Sequence, residues 1–99
     1  MPYIEDRGGL DFNGNNPWKG YPVAIVERVL SLVSQQLGVP IDRLMPETRF
    51  VEDLGVDSGD DVELVIATEE AFSISITDED AVQIITVGHL VQCVKDRAG

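Results

Sequence analysis

The chain has 99 residues and a mass of 10.8 kDa, and with 43% apolar residues it can build one domain around a small core. A single cysteine, Cys93, and a single histidine, His89, exclude a disulfide framework, a Cys-based zinc or iron–sulfur cage and a His-pair metal site. Eighteen acidic against seven basic residues leave a net charge of −11, which speaks against nucleic acid or an anionic membrane surface as partner and for basic proteins.

The first 21 residues hold Gly8, Gly9, Gly14, Gly20, Pro2 and Pro17 with Asn13, Asn15 and Asn16, which is loop chemistry without a period. They also hold Tyr3, Phe12, Trp18 and Tyr21, four of the six aromatics, an unusual load for a disordered tail. Residues 1–21 are therefore read as an N-terminal extension, flexible or partly packed through its aromatics, and residues 22–99 as the folded domain. No basic stretch leads into an apolar one at the start, and no apolar run approaches the ~20 residues of a membrane span. A soluble protein without a signal peptide is expected, and with its lone Cys93 a cytoplasmic one.

From Val23 the pattern turns helical. Val26, Val29, Leu30, Val33 and Leu37 recur at i, i+3, i+4, i+7 and i+11, one buried stripe, and Gly38 with Pro40 ends the helix. Residues 39–57 form a long first loop anchored by Ile41, Leu44, Phe50, Val51 and Leu54. Asp57 stands where an N-cap belongs, ahead of a helix from about Ser58 to Phe72. Residues 73–76 alternate polar and apolar and read as a short extended link. Thr77 and Asp80 have the spacing of a capping box, with Asp in the Glu position, opening a short helix that runs to about Ile84. Thr86 caps a last helix with the stripe Val87, Leu90, Val91 and Val94. The fold class is all-α: a small four-helix bundle of three main helices and one short one, without a strand.

Charge is concentrated in the middle of this chain. Thirteen of the eighteen acids lie between Asp42 and Asp80, where Arg43 and Arg49 are the bases. Such a run serves either as a solvated face or as a docking surface for basic partners. Crowding is expected to raise the carboxyl pKa values, to outweigh the capping effects at Asp57 and Asp80, and to make the fold more stable just below neutrality than above it. On a wheel of about 100° per residue, Ala71, Leu64, Thr68, Phe72 and Val65 share the core-facing arc of the second helix, with Asp61 inside it. The opposite arc presents Val62 and Ile66, bordered by Glu63, Glu69 and Glu70, an apolar strip with a charged rim. Ser58 opens this helix. A phosphate there would meet free amides and the positive end of the helix dipole, while Asp57, Asp60 and Asp61 would oppose a free anion, so the position suits a covalently attached phosphate.

Catalytic motifs do not fit the same residues. The glycines around Ser58 are at the wrong offsets for a G-x-S-x-G elbow, and His89 is the one candidate base. The acidic run lacks the spacing of an EF-hand loop. His89 reads as a surface or boundary residue of the last helix, and Cys93 as a residue at the core edge.

Residues 50–58, Phe-Val-Glu-Asp-Leu-Gly-Val-Asp-Ser, followed by Asp-Asp-Val-Glu-Leu-Val-Ile at 60–66 and by Glu69, Glu70 and Phe72, resemble the core of an acyl carrier protein. The likeness extends upstream through Glu27-Arg-Val and Gln36-Leu-Gly-Val, and downstream through Ile74, Ile76, Asp78, Glu79, Ala81 and Ile85-Thr-Val. It covers about residues 23–97 without gaps. The resemblance implies a monomeric four-helix carrier domain, not an enzyme, whose Ser58, next to Asp57, receives 4′-phosphopantetheine from coenzyme A. A separate phosphopantetheinyl transferase makes that attachment, which also makes the chain a phosphoprotein. The arm's thiol would hold acyl groups as thioesters for fatty-acid, polyketide or related biosynthesis. Acyl-processing enzymes with basic docking patches would then read Asp57, Asp60, Val62, Glu63, Ile66, Glu69 and Glu70. Three positions depart from the family pattern: Gly59 replaces a bulky Leu or Met after the serine, Thr68 an aliphatic lining the acyl cavity, and Asp61 a neutral residue. They mark a specialised or divergent member. The alternative from another class is a carrier-like protein–protein interaction module that is never loaded, which the missing side chain at Gly59 favours.

Overall fold

The computed structural model describes residues 17–98. Among these residues four α-helices form the body: α1 (Val23–Leu37), α2 (Ser58–Phe72), α3 (Asp78–Gln83) and α4 (Val87–Ala98). One isolated antiparallel bridge, between Arg49 and Thr86, is the extent of β-pairing among them. The all-α bundle expected from periodicity is the fold observed. No helix among the described residues is long and apolar enough to cross a membrane.

Packing rather than capping holds α1. Its first turn has no acidic residue, its last turn no basic one, and Pro22 at the N-cap offers no side-chain acceptor. The stripe Val26, Val29, Leu30 and Val33 is fully buried, each such side chain contributing about 1.5–3 kcal/mol. Leu37 packs at the core margin, and Gly38 ends the helix in the left-handed region with φ of 69°. α1 lies against both α2 and α4. α4 buries Val87, Leu90, Val91 and Val94, the four residues of its expected stripe.

The long first loop is more ordered than its lack of a period suggests. Ile41–Arg43 form a 3-10 turn, and Leu44 and Phe50 are buried anchors as expected. Val51 is not an anchor: it is 65% exposed, because the tight turn over residues 50–54 directs Phe50 inward and brings Val56 back beneath it. The Val56 amide donates to the Phe50 carbonyl at 3.0 Å, and Val56 takes the buried place expected of Val51. Arg49 staples this turn. Its amide donates to Asp53 Oδ2 at 2.8 Å, and its guanidinium pairs with Asp53 and Glu52.

The loop is then fastened to α4. The Val87 amide donates to the Thr48 carbonyl and the Gly88 amide to the Pro46 carbonyl, both at 2.9 Å. Here a glycine is obligatory, since a Cβ on Gly88 would lie 2.8 Å from the Pro46 carbonyl oxygen.

From the segment assigned to the N-terminal extension, Trp18 is buried in the core and meets Tyr21 edge-to-face at 5.3 Å. Tyr3 and Phe12, the other two aromatics of that assignment, lie outside the described residues.

Candidate functional site

α2 begins at Ser58 because Asp57 stops the preceding loop and caps the helix. The Asp57 backbone is extended, and its Oδ1 accepts from the Asp60 amide at 2.9 Å. Gly55, in the left-handed region at φ 71°, turns the chain out of the first loop into this cap. Ser58 is exposed, and its hydroxyl makes no hydrogen bond among the described residues. Nothing among the described residues withholds that oxygen from a second protein.

The position can accept a tethered phosphate. The first-turn amides of Ser58 and Gly59 have no partner among the described residues and point out of the helix start, where its dipole is positive. Gly59 leaves the approach open, and a Cβ built on it would come no nearer than 3.5 Å, to Asp57 Oδ1. Asp57 and Asp60 are both exposed beside the serine, a negative surround that opposes a free anion. A covalent bond at Ser58 removes the need for that anion to bind on its own.

Down the outer face, Val62 and Ile66 are 57% and 47% exposed. Glu63 and Glu70 are exposed around them. The structure therefore leaves Asp57, Ser58, Asp60, Val62, Glu63, Ile66 and Glu70 all exposed, around the start of α2 and down its outer side. Glu69, the remaining member of the expected rim, stands apart from these. It is half-buried, and its carboxylate accepts the Ile76 amide at 2.7 Å, tying the end of α2 to the segment that enters α3. A wheel cannot show this, because the α2–α3 connection folds back over Glu69.

The inner face of α2 buries Leu64 and Thr68. The Thr68 hydroxyl donates to the Leu64 carbonyl one turn back at 2.8 Å, so the buried oxygen is satisfied within the helix. Val65 and Phe72 are half-buried, whereas Ala71, expected in the core, is exposed. Its carbonyl instead receives Arg28 of α1 at 2.7 Å, and the same guanidinium lies 4.4 Å from the centre of the Phe72 ring. Sequence reasoning did not single out Arg28, and no spacing signal marks it. It is nonetheless the cation at the negative end of a helix whose own last turn has none.

Asp61 sits in the core-facing arc as the wheel places it. Burial holds its carboxyl above the ordinary value. Asp53 goes the other way, lowered first by the Arg49 amide and then by the Arg49 guanidinium. These two carboxyls answer to burial and to a neighbouring arginine, not to the acidic crowding expected from the sequence.

At the entrance to α3, Thr77 Oγ1 accepts the Asp80 amide at 3.1 Å. The Asp80 carboxylate does not complete the expected box; it pairs with Arg97 and joins α3 to α4. Cys93 is free and half-buried at this α3–α4 cleft, its thiol pushed up by burial and, secondarily, by Asp96. No group of three or more potential metal ligands occurs among the described residues.

A protein-family model covers more than half of the chain. The model described as the phosphopantetheine attachment site matches residues 27–94, from the second turn of α1 to the middle of α4. It spans the capped serine, the exposed face of α2 and the loop that leads to them. The protein thus belongs to the phosphopantetheine attachment site family, and its domain is of the kind that carries covalently attached 4′-phosphopantetheine.

Proposed function

We propose that this protein is an acyl carrier, with Ser58 as the attachment residue, and that it performs no catalysis of its own. The observation that carries the reading is the exposed, unbonded Ser58 hydroxyl at the capped start of α2, within a domain matched as a phosphopantetheine attachment site. When bound, the group supplies a long arm ending in a thiol, which holds an acyl group as an electrophilic thioester. The chain's own residues do three things. Asp57 fixes the start of α2 and so the direction in which Ser58 leaves the surface. The open amides at the helix start stabilise the phosphate once it is tethered. Val62 and Ile66 then offer a small apolar contact, with Asp60, Glu63 and Glu70 steering basic enzymes towards it.

The enzymes so steered are a transferase that loads Ser58 from coenzyme A and the acyl-processing enzymes of fatty-acid, polyketide or related biosynthesis. The free Cys93 suits a reducing compartment, the cytoplasm, and a monomer leaves the α2 face available.

Incubation with coenzyme A and a broad-specificity phosphopantetheinyl transferase tests the reading. The protein gains the mass of one arm, and Ser58→Ala abolishes the gain. Modification at Ser31, Ser34, Ser73 or Ser75 instead would refute Ser58. A chain that takes no arm yet binds carrier-reading enzymes would be an interaction module.

A further inference from the structure

His89 has no place on the Ser58 face, yet it is connected to it. Its Nδ1 accepts from the amides of Ile85 at 3.1 Å and Thr86 at 3.3 Å, while Thr86 Oγ1 accepts from the His89 amide at 3.1 Å. The two residues close a reciprocal capping box in which a histidine fills the position usual for Glu or Gln. The ring takes the two amides that the neighbouring backbone leaves over. In the bridge between Arg49 and Thr86, the bonds run from the Phe50 amide to the Ile85 carbonyl at 3.0 Å and from the Val87 amide to the Thr48 carbonyl at 2.9 Å.

A line of hydrogen bonds therefore leads from His89 to Val56, two residues before the attachment serine. It passes from the ring to the Ile85 amide, from the Ile85 carbonyl to the Phe50 amide, and from the Phe50 carbonyl to the Val56 amide at 3.0 Å. Val56 is followed directly by Asp57 and Ser58. Phe50 and Val56 are both buried, so their amides are held in place by these bonds and have no water to replace them.

We propose that His89 is a positioning residue for loading at Ser58, acting through the Ile85–Phe50–Val56 relay. The proposal rests on the reading of Ser58 as the attachment residue. Without the ring acceptor, the chain at 85–86 loses the fixed direction that aligns the Ile85 carbonyl with Phe50. The loop that delivers Asp57 and Ser58 then samples other arrangements, and the fraction of molecules presenting the serine correctly falls. A transferase experiences that fall as weaker binding of the carrier, not as slower chemistry.

The test compares His89→Ala, His89→Gln and Thr77→Ala with the wild-type protein. His89 is exposed, so truncation leaves no buried cavity, and Gln restores an acceptor at the same position. Thr77→Ala removes a cap of the same kind from α3, whose capping bond to the Asp80 amide is not part of the relay to Val56. In His89→Ala, amide exchange at Phe50 and Val56 accelerates by about fivefold, the change equivalent to one lost cap. The KM of the transferase for the carrier rises while kcat holds, His89→Gln returns both readouts towards wild type, and Thr77→Ala moves neither. An unchanged KM in a His89→Ala protein that still loads overturns the role of His89 alone, as does an equal rise in Thr77→Ala. A wild-type chain that takes no arm overturns the proposed function and this role with it.

Discussion

Asp61 stands one turn beyond Ser58 and is half-buried, and burial raises its pKa above the ordinary aspartate range. A raised folded-state pKa means that the folded protein holds this proton more tightly than the unfolded chain. The associated stability is fully present below the ordinary carboxylate range and is lost as pH rises through the raised value. Near neutrality Asp61 is therefore a burden on the fold. Asp61→Asn should raise the melting temperature at pH 7, and the gain should vanish at about pH 3, where the aspartate is already protonated in both states. Equal gains at both pH values would show that burial of the charge is not the cause. Gly59 is the second residue with a separable effect. Its φ is not in the left-handed region and a Cβ there would meet Asp57 Oδ1 at an ordinary contact distance of 3.5 Å, so the fold itself does not require glycine there. Gly59→Leu should stabilise α2 by up to about 1 kcal/mol through helix propensity. By supplying the apolar side chain that carrier proteins of this family usually present after the serine, it should also speed loading by a general transferase. Greater stability with unchanged loading would place the transferase's grip elsewhere on α2.

At the scale of the helix, three glutamates of the same sequence pattern have two different roles. Glu63 and Glu70 are exposed, whereas the Glu69 carboxylate is committed to the Ile76 amide. Reversing Glu63 and Glu70 to Lys should slow association with basic partner enzymes and flatten its salt dependence, leaving the melting temperature at about 0.15 M salt, where distant repulsion is screened, nearly unchanged. Glu69→Lys makes the same change in charge but should cost about 1–2 kcal/mol of stability, because it removes a charged acceptor from a partly buried amide. Stopped-flow association and thermal unfolding separate the two outcomes. If all three reversals slow association equally at unchanged stability, the rim is continuous and the Glu69 bond is dispensable. The same contrast shows what the sequence made legible. Periodicity and caps gave the limits of α2, the Asp57 cap and the exposure of Val62 and Ile66, since each depends on residues within a turn or two. The exposure of Ala71 and Val51 and the Glu69 bond to Ile76 are not legible in the sequence, because their surroundings come from elsewhere in the chain: Arg28 of α1, the turn at 50–54, and the α2–α3 connection. The box at Thr86 and His89 has a recognisable spacing, but its second member is not one of the usual residues, so the spacing alone went unread.

Across the whole molecule, the charge that matters is the acidic excess between Asp42 and Asp80, carried on a body with a radius of gyration of 13.2 Å. Three arginines are already committed where they join segments: Arg49 within the first loop, Arg28 from α1 to the end of α2, and Arg97 from α4 to α3. That leaves the acids between Asp42 and Asp80 far in excess of the cations near them. The range of the repulsion decides its effect. At an ionic strength of about 0.01 M the Debye length is about 30 Å, longer than the molecule's radius, so each carboxylate senses nearly all the others. At about 0.15 M it shrinks to about 8 Å, so distant repulsion is screened while contacts such as Arg49 with Asp53 persist. The melting temperature at pH 7 should therefore rise between these two salt concentrations. The rise should be smaller in the Glu63→Lys, Glu70→Lys double variant, whose net charge is less negative by four. Sodium chloride and a tetraalkylammonium chloride should act alike, because screening requires no bound cation. A melting temperature that falls with salt would show that the arginine pairs outweigh the repulsion, and the acidic surface would then be a stabilising network instead of a strain on the fold.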